Sequence, residues 1–167
     1  TERRCTQRAW TEAGIAMLTE NDRKTRMTRT WLIDTPGAQP RKLWERSQED
    51  SYGNPGTPLR RAMGSGIDAI RQVGDAVYLT GSGSTPAGDR PFLDRLDLKT
   101  LQKERLFQSP DESYETVVGL ITTDAARVVT RRESRTDAPN VFTRDLKANE
   151  RVALTSYDFE RPAVTLA

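Results

Sequence analysis

The 167-residue chain has no histidine. That excludes any Ser-His-Asp or Cys-His constellation built from its own side chains. Cysteine is nearly missing too: Cys5 stands alone, so no internal disulfide forms, and a Cys/His zinc site lacks its donors. A single thiol of this kind reads as buried or inert rather than reactive. No apolar run approaches the roughly 18 residues that span a bilayer. The opening Thr1-Glu-Arg-Arg-Cys-Thr-Gln7 lacks the apolar stretch of a signal peptide, although the chain also starts without Met. Net charge is small, +2 from 26 basic and 24 acidic residues, which gives no argument for a nucleic-acid partner. The sequence pI near 8.8 leaves weak anion binding open. Carboxylates such as Glu20, Asp22, Asp89 and Glu133 have no metal-site spacing and read as solvated charge. No cofactor and no metal are expected.

What the chain does have is repetition. Three second-strand candidates, Gly14–Thr19, Ala76–Thr80 and Ala126–Thr130, each precede a segment ending in aspartate: Thr30–Asp34, Phe92–Asp97 and Val141–Asp145. Leu43, Leu106 and Leu154 each lie nine residues after those aspartates, while the preceding threonines stand 15, 17 and 15 residues before them. Segments of constant length joined by loops of variable length are strands in a repeat architecture. In the first unit, Arg8-Ala-Trp10 is a short strand candidate, Glu12–Gly14 a turn, Glu20–Arg29 a charged loop or strand extension, and Thr35–Pro40 a second turn.

Three four-stranded antiparallel units follow, over residues 8–46, 66–108 and 114–156, with Ile67–Ile70 and Val73 opening the second. Residues 47–65 form a long connection in which Tyr52, Leu59 and Met63 give an ordered loop something to bury. Residues 160–167 read as the start of a further blade. The fold class is therefore all-β, a partial β-propeller of about three blades, the whole of 1–167 being part of one propeller domain. A three-bladed ring is an uncomfortable closed form, since propellers commonly have about four to eight blades, so the chain reads as a fragment of a larger propeller. An independent β-sandwich is the structural rival. An open propeller exposes apolar surface and sheet edges, so self-association of this segment is expected.

Glycine motifs carry no chemistry here. Gly81-Ser-Gly-Ser-Thr85 has serine and glycine in the wrong order for a nucleophile elbow, and neither Gly64 nor Gly81 opens a nucleotide-binding helix. Arginine is more informative. In a meander blade, the loop between second and third strands emerges at the same end as the connection to the next blade. Arg23, Lys24, Arg26, Arg29, the Asp89-Arg90 pair, Arg131-Arg132-Glu133 and Arg135 should therefore share one end with the 47–65 loop. A solvated rim of ion pairs is one reading of that end. The other is a guanidinium fork for a carboxylate ligand, with Arg131, Arg132 and Arg90 as the substrate-binding candidates.

Arg29-Thr-Trp-Leu-Ile33, Leu43–Asp50, Tyr52 with Pro55-Gly56, Gly88–Leu98, Thr130–Ser134 and Pro139-Asn140 resemble the propeller of prolyl oligopeptidase family serine peptidases, in particular the glutamyl endopeptidase branch. Asn54 stands where aspartate is expected before Pro-Gly, and Leu101 where a turn glycine is usual. The resemblance implies a seven-bladed propeller attached to an α/β-hydrolase domain of the same parent chain, with peptide substrates admitted to the cavity between them and cut after acidic residues. The family's catalytic half has no counterpart here, so no triad residue is carried over and the segment alone should be inactive. The resemblance permits a bacterial periplasmic or secreted setting, or a plastid. A non-catalytic interaction propeller and a glycan- or anion-binding propeller are the alternatives.

Overall fold

A computed structural model describes residues 3–159, apart from the side chain of Ser65; the expected further blade at 160–167 lies outside the described residues. Apart from one 3₁₀ turn at Gly64–Gly66, every regular element is a strand. The first sheet is a simple meander in the order β1 (Arg3–Trp10), β2 (Ala16–Asp22), β3 (Met27–Ile33) and β4 (Arg41–Ser47). The strand β1 starts well before Arg8 because it is an edge strand, exposed at every residue but Ala9. Such a strand carries no alternation to read. Cys5 lies on this edge and is exposed, not buried.

The second sheet is less regular. Its first strand is composite: β5 (Thr57–Pro58) pairs with one end of the next long strand, and a second short piece pairs with the other end. Between them the chain leaves the sheet as a hairpin of β6 (Arg60–Met63) and β7 (Ile67–Ile70). It then returns as β8 (Gln72–Val73), and Arg71 N–H donates to the Leu59 carbonyl at 2.9 Å where the excursion closes. The sheet continues through β9 (Ala76–Gly81), the small ribbon β10 (Ser84–Thr85) and β11 (Gly88–Asp89), then β12 (Phe92–Asp97) and β13 (Lys103–Gln108). Ile67–Ile70 therefore pairs within the hairpin and does not open the second sheet. What holds it there is the first blade: Ile70 is fully buried in the core between the sheets, Glu12 N–H donates to the Ile70 carbonyl at 3.0 Å, and Arg61 Nη1 meets Glu12 Oε1 at 3.2 Å. The third sheet is again a plain meander, β14 (Tyr114–Leu120), β15 (Arg127–Glu133), β16 (Asn140–Asp145) and β17 (Glu150–Ala153).

The second sheet lies between the other two, and strand alternation divides its side chains. Val77, Leu79 and Leu96 join Ala9, Met17 and Leu32 in one core, while Tyr78 and Leu93 join Phe107, Val117 and Val128 in the other. Ala76–Leu79 is a continuous buried run because both its faces are covered. Each fully buried leucine stabilises the stack by about 1.5–3 kcal/mol relative to exposure. The outer faces of the first and third sheets have no such cover: Trp10, Val118 and Val152 are more than half exposed. Three antiparallel blade-like sheets stacked in chain order are the architecture of a partial β-propeller.

One aspartate turn of the same kind occurs in each sheet, between the second and third strands of the first and between the third and fourth strands of the other two. Asp22 Oδ1 accepts from Lys24 and Thr25 N–H, Asp97 Oδ1 from Lys99 and Thr100, and Asp145 Oδ1 from Lys147 and Ala148, all at 2.8–3.1 Å. Each turn then closes on a residue with positive φ, Arg26 at 54°, Leu101 at 59° and Asn149 at 58°. Leu101 thus occupies a backbone site where glycine is less strained. The Thr25 N–H bond to Asp22 and the Thr100 N–H bond to Asp97 hold both carboxyls below the ordinary carboxylate range. A depressed folded-state pKa contributes stability that is fully present above the unfolded value, near 4, and is lost as pH falls through the folded one. The acid limb of the unfolding curve should therefore flatten in Asp97→Asn, which keeps an acceptor for the turn but removes the titration; an unchanged limb excludes Asp97 as a contributor.

Candidate functional site

Tertiary contacts put the second-to-third-strand loops at one end of the sheets, beside the connections that leave each blade. In the first blade Gln48 N–H donates to the Arg26 carbonyl at 2.9 Å, and Arg26 Nε meets Glu49 at 3.1 Å. In the second, Ser109 N–H donates to the Pro91 carbonyl at 2.7 Å, Arg90 Nε donates to the Ser109 carbonyl at 3.1 Å, and the same nitrogen meets Asp111 at 2.9 Å. In the third, Asn140 makes the equivalent contacts. Its Oδ1 accepts from Tyr157 N–H at 2.7 Å and Thr155 Oγ1 at 2.9 Å, and its Nδ2 donates to the Tyr157 carbonyl. A residue at the entry to each third strand clamps the outgoing connection. Arg90 is one of these clamps.

The other two arginines diverge. Arg131 and Arg132 are neighbours on β15, so their side chains leave opposite faces of the sheet. Arg131 is exposed and pairs with Glu133 at 3.3 Å; the Arg132 side chain is only 12% exposed and donates from Nη1 to Asp137 Oδ2 at 2.8 Å. Arg132 beside it holds the Asp137 carboxyl below the usual range. Arg90, Arg131 and Arg132 therefore each have their own carboxylate and do not converge as one fork. Of the remaining cations at this end, Arg29 lies between Glu20 and Glu45, while Arg23, Lys24 and Arg135 are exposed.

Arg132 nevertheless opens onto a defined space. A cleft of about 330 Å³ is lined by Arg132, Asn140, Phe142, Arg151, Thr155 and Tyr157. The Arg132 Nε is buried with no partner among the described residues, and Arg151 stacks over the Phe142 ring at 5.5 Å. Asp137 and Asp158 line the same cleft, so its two guanidinium groups beside one aromatic ring suit a carboxylate ligand only in exchange for a carboxylate already there. Sequence alone does not single out Arg151 or Asn140 as contacts. The signal for Asn140 is its place at the start of the third strand, the position that Arg90-Pro91 occupies one blade earlier.

Comparison with known proteins gives the arrangement its relatives. Over 175 aligned residues, 95% of this chain, it is 38% identical to a probable glutamyl endopeptidase, chloroplastic, of Oryza sativa subsp. japonica; it is also 38% identical, over 77% of its length, to the protein of the same description in Arabidopsis thaliana. The chain is glutamyl endopeptidase-like. It spans 18% and 15% of the length of these two relatives, so each is a much longer chain than this one. No family model matches. Among solved structures, TolB from Acinetobacter baumannii aligns with 91% of this glutamyl endopeptidase-like chain and 32% of its own, at 18% identity and a TM-score of 0.46.

Proposed function

We propose that this chain is a propeller segment of a serine peptidase that cleaves after acidic residues, and that it limits access to the catalytic centre and contacts the peptide. The observation that carries the reading is the 38% identity maintained over 95% of the chain with a glutamyl endopeptidase of which it spans only 18%. Catalysis then belongs to an α/β-hydrolase domain elsewhere in the same parent chain, by acyl transfer to serine and hydrolysis. Seven blades complete the ring in this reading. Arg132 is the substrate contact: it exchanges the half-exposed Asp137 for a substrate carboxylate, while Arg151 supplies a second positive charge across the cleft. Arg131 contributes long-range attraction from the exposed face, and Arg90 acts through the connection it holds.

In the parent chain, Arg132→Ala should raise KM for a peptide with glutamate before the scissile bond by about tenfold, the worth of a hydrogen bond to a charged group, and leave the glutamine analogue nearly unchanged. Arg90→Ala should instead lower the unfolding midpoint with both KM values retained. Equal effects of Arg132→Ala on the two peptides would remove it from acid recognition. A parent chain that shows no serine-dependent cleavage would sink the peptidase reading and leave an interaction propeller.

A further inference from the structure

A second cleft, about 290 Å³, lies between the first sheet and the Asn54–Pro58 connection that leads into the second. Most of its lining is neutral, and Arg46 on β4 is the one charged residue among those described that line it. The corresponding cleft between the second and third sheets, about 220 Å³, shares the hydroxyls, with Thr57, Thr80, Ser82 and Thr116, but has no charged residue among those described. Arg46 is therefore what distinguishes the first cleft from the second.

The guanidinium of Arg46 is held from one side only. Its Nη1 donates to the Ser47 and Asp50 carbonyls at 3.2 and 2.8 Å, which takes up both hydrogens of that nitrogen. Its Nε and Nη2 have no partner among the described residues, and unlike Arg132 Nε and Arg144 Nε they are not shut away from solvent. Those two nitrogens are the pair that grips a carboxylate side-on. The same chain uses them so: Arg41 meets Asp34 through Nε at 2.9 Å and Nη2 at 2.7 Å, and Arg105 meets Asp94 through the same two atoms. Arg46 presents that fork without its carboxylate. The acids nearest it in sequence are engaged elsewhere, Glu45 by Arg29 and Lys42, Glu49 by Arg26, and Asp50 by the Gly53 N–H at 2.8 Å. One uncompensated guanidinium balances one negative charge, so a monoanion is favoured over a dianion, which would give up hydration for a charge left unmatched. The volume, at the low end of ligand clefts, suits a body of about one amino-acid residue.

We propose that Arg46 binds a carboxylate in this cleft, carried on a group the size of a single amino-acid residue. An acidic side chain and a free chain terminus both supply that chemistry. The site is separate from the Arg132 cleft and does not depend on the peptidase reading.

Isothermal titration of the parent chain tests it, with N-acetylglutamate methylamide for the side-chain carboxylate, N-acetylglutamine for the terminal one, N-acetylglutamine methylamide as the neutral control, and inorganic phosphate. At least one carboxylate should bind saturably, with the neutral control at least tenfold weaker; which of the two binds identifies the source. Arg46→Lys keeps the charge but not the paired donors, so the binding at this cleft should weaken about tenfold, and Arg132→Ala should retain it. Carboxylate binding unchanged in Arg46→Lys, equal binding of the neutral control, or tighter binding of phosphate than of either carboxylate would overturn the proposal. A crystal of the unaltered parent chain with the bound carboxylate gives a reading that needs no variant: its two oxygens are expected on Arg46 Nε and Nη2, and their absence there would equally overturn it.

Discussion

Arg144→Ala is expected to lower the stability of the fold by about 3–5 kcal/mol, the usual penalty for breaking a buried ion pair from one side. Glu115 on β14 is wholly buried and Arg144 on β16 is 9% exposed; Nη1 of the arginine lies 3.1 Å from Glu115 Oε2. The guanidinium also lies 5.1 Å from the Phe107 ring centre of the second sheet, so this one side chain joins three strands and two blades. With Arg144 gone, the Glu115 carboxylate has no counter-charge and no route to water. Urea midpoints in the parent chain would measure the loss, at unchanged denaturant slope. The double variant Glu115→Leu with Arg144→Met should recover most of it, since the hydrophobic pair leaves no charge behind. A single-site loss under about 1 kcal/mol, well below that penalty, or a double variant no better than the single, would show that the pair is not what holds this interface.

Gly56→Ala should also be strongly disruptive, on the order of 2–4 kcal/mol. Gly56 has φ +89°, and a Cβ built there would sit 2.6 Å from the Thr80 carbonyl oxygen, a backbone atom that cannot turn away. Asn54 Oδ1 accepts from Gly56 N–H at 3.0 Å, the same acceptor role that an aspartate in that place would play. The turn aims the chain into Thr57, which pairs with Thr80, so the substitution opposes the turn and the sheet together. Gly37, with φ +83° and nothing within 4 Å of its built Cβ, is the control; Gly37→Ala should cost only its backbone strain. Equal losses at the two glycines would remove the close approach to Thr80 as the cause.

The second and third strands of the first two blades are legible in the sequence because they are the most buried, and burial on one or both faces leaves alternation or a continuous apolar run. The aspartates that follow the repeated segments are legible as spacing, but the use of Asp97 and Asp145 as turn acceptors for two successive N–H groups emerges only with the backbone in place. Leu154 shares the nine-residue spacing of Leu43 and Leu106 and yet is 57% exposed, because it follows an outer strand that no neighbouring sheet covers. The composite first strand of the second sheet leaves no pattern: its two pieces are two residues each and are separated by a hairpin that belongs, by packing, to the blade before. Sequence also groups Arg131 with Arg132 because they are adjacent, whereas adjacency in a strand is what sends them to opposite sides.

The closing hydrogen bond between Arg71 and Leu59 makes residues 60–70 a branch rather than a link. The sheet is continuous across their base, so its pairing does not depend on how many residues the branch holds, and the entropy of closing a longer one grows only as the logarithm of its length. Ile70 and the Glu12 contacts fix where the branch lies down, but the outward β6 strand and the turn beyond it face solvent. This makes the tip of the hairpin a place where a descendant sequence, or an engineer, can graft foreign residues beside two blades without redrawing either sheet.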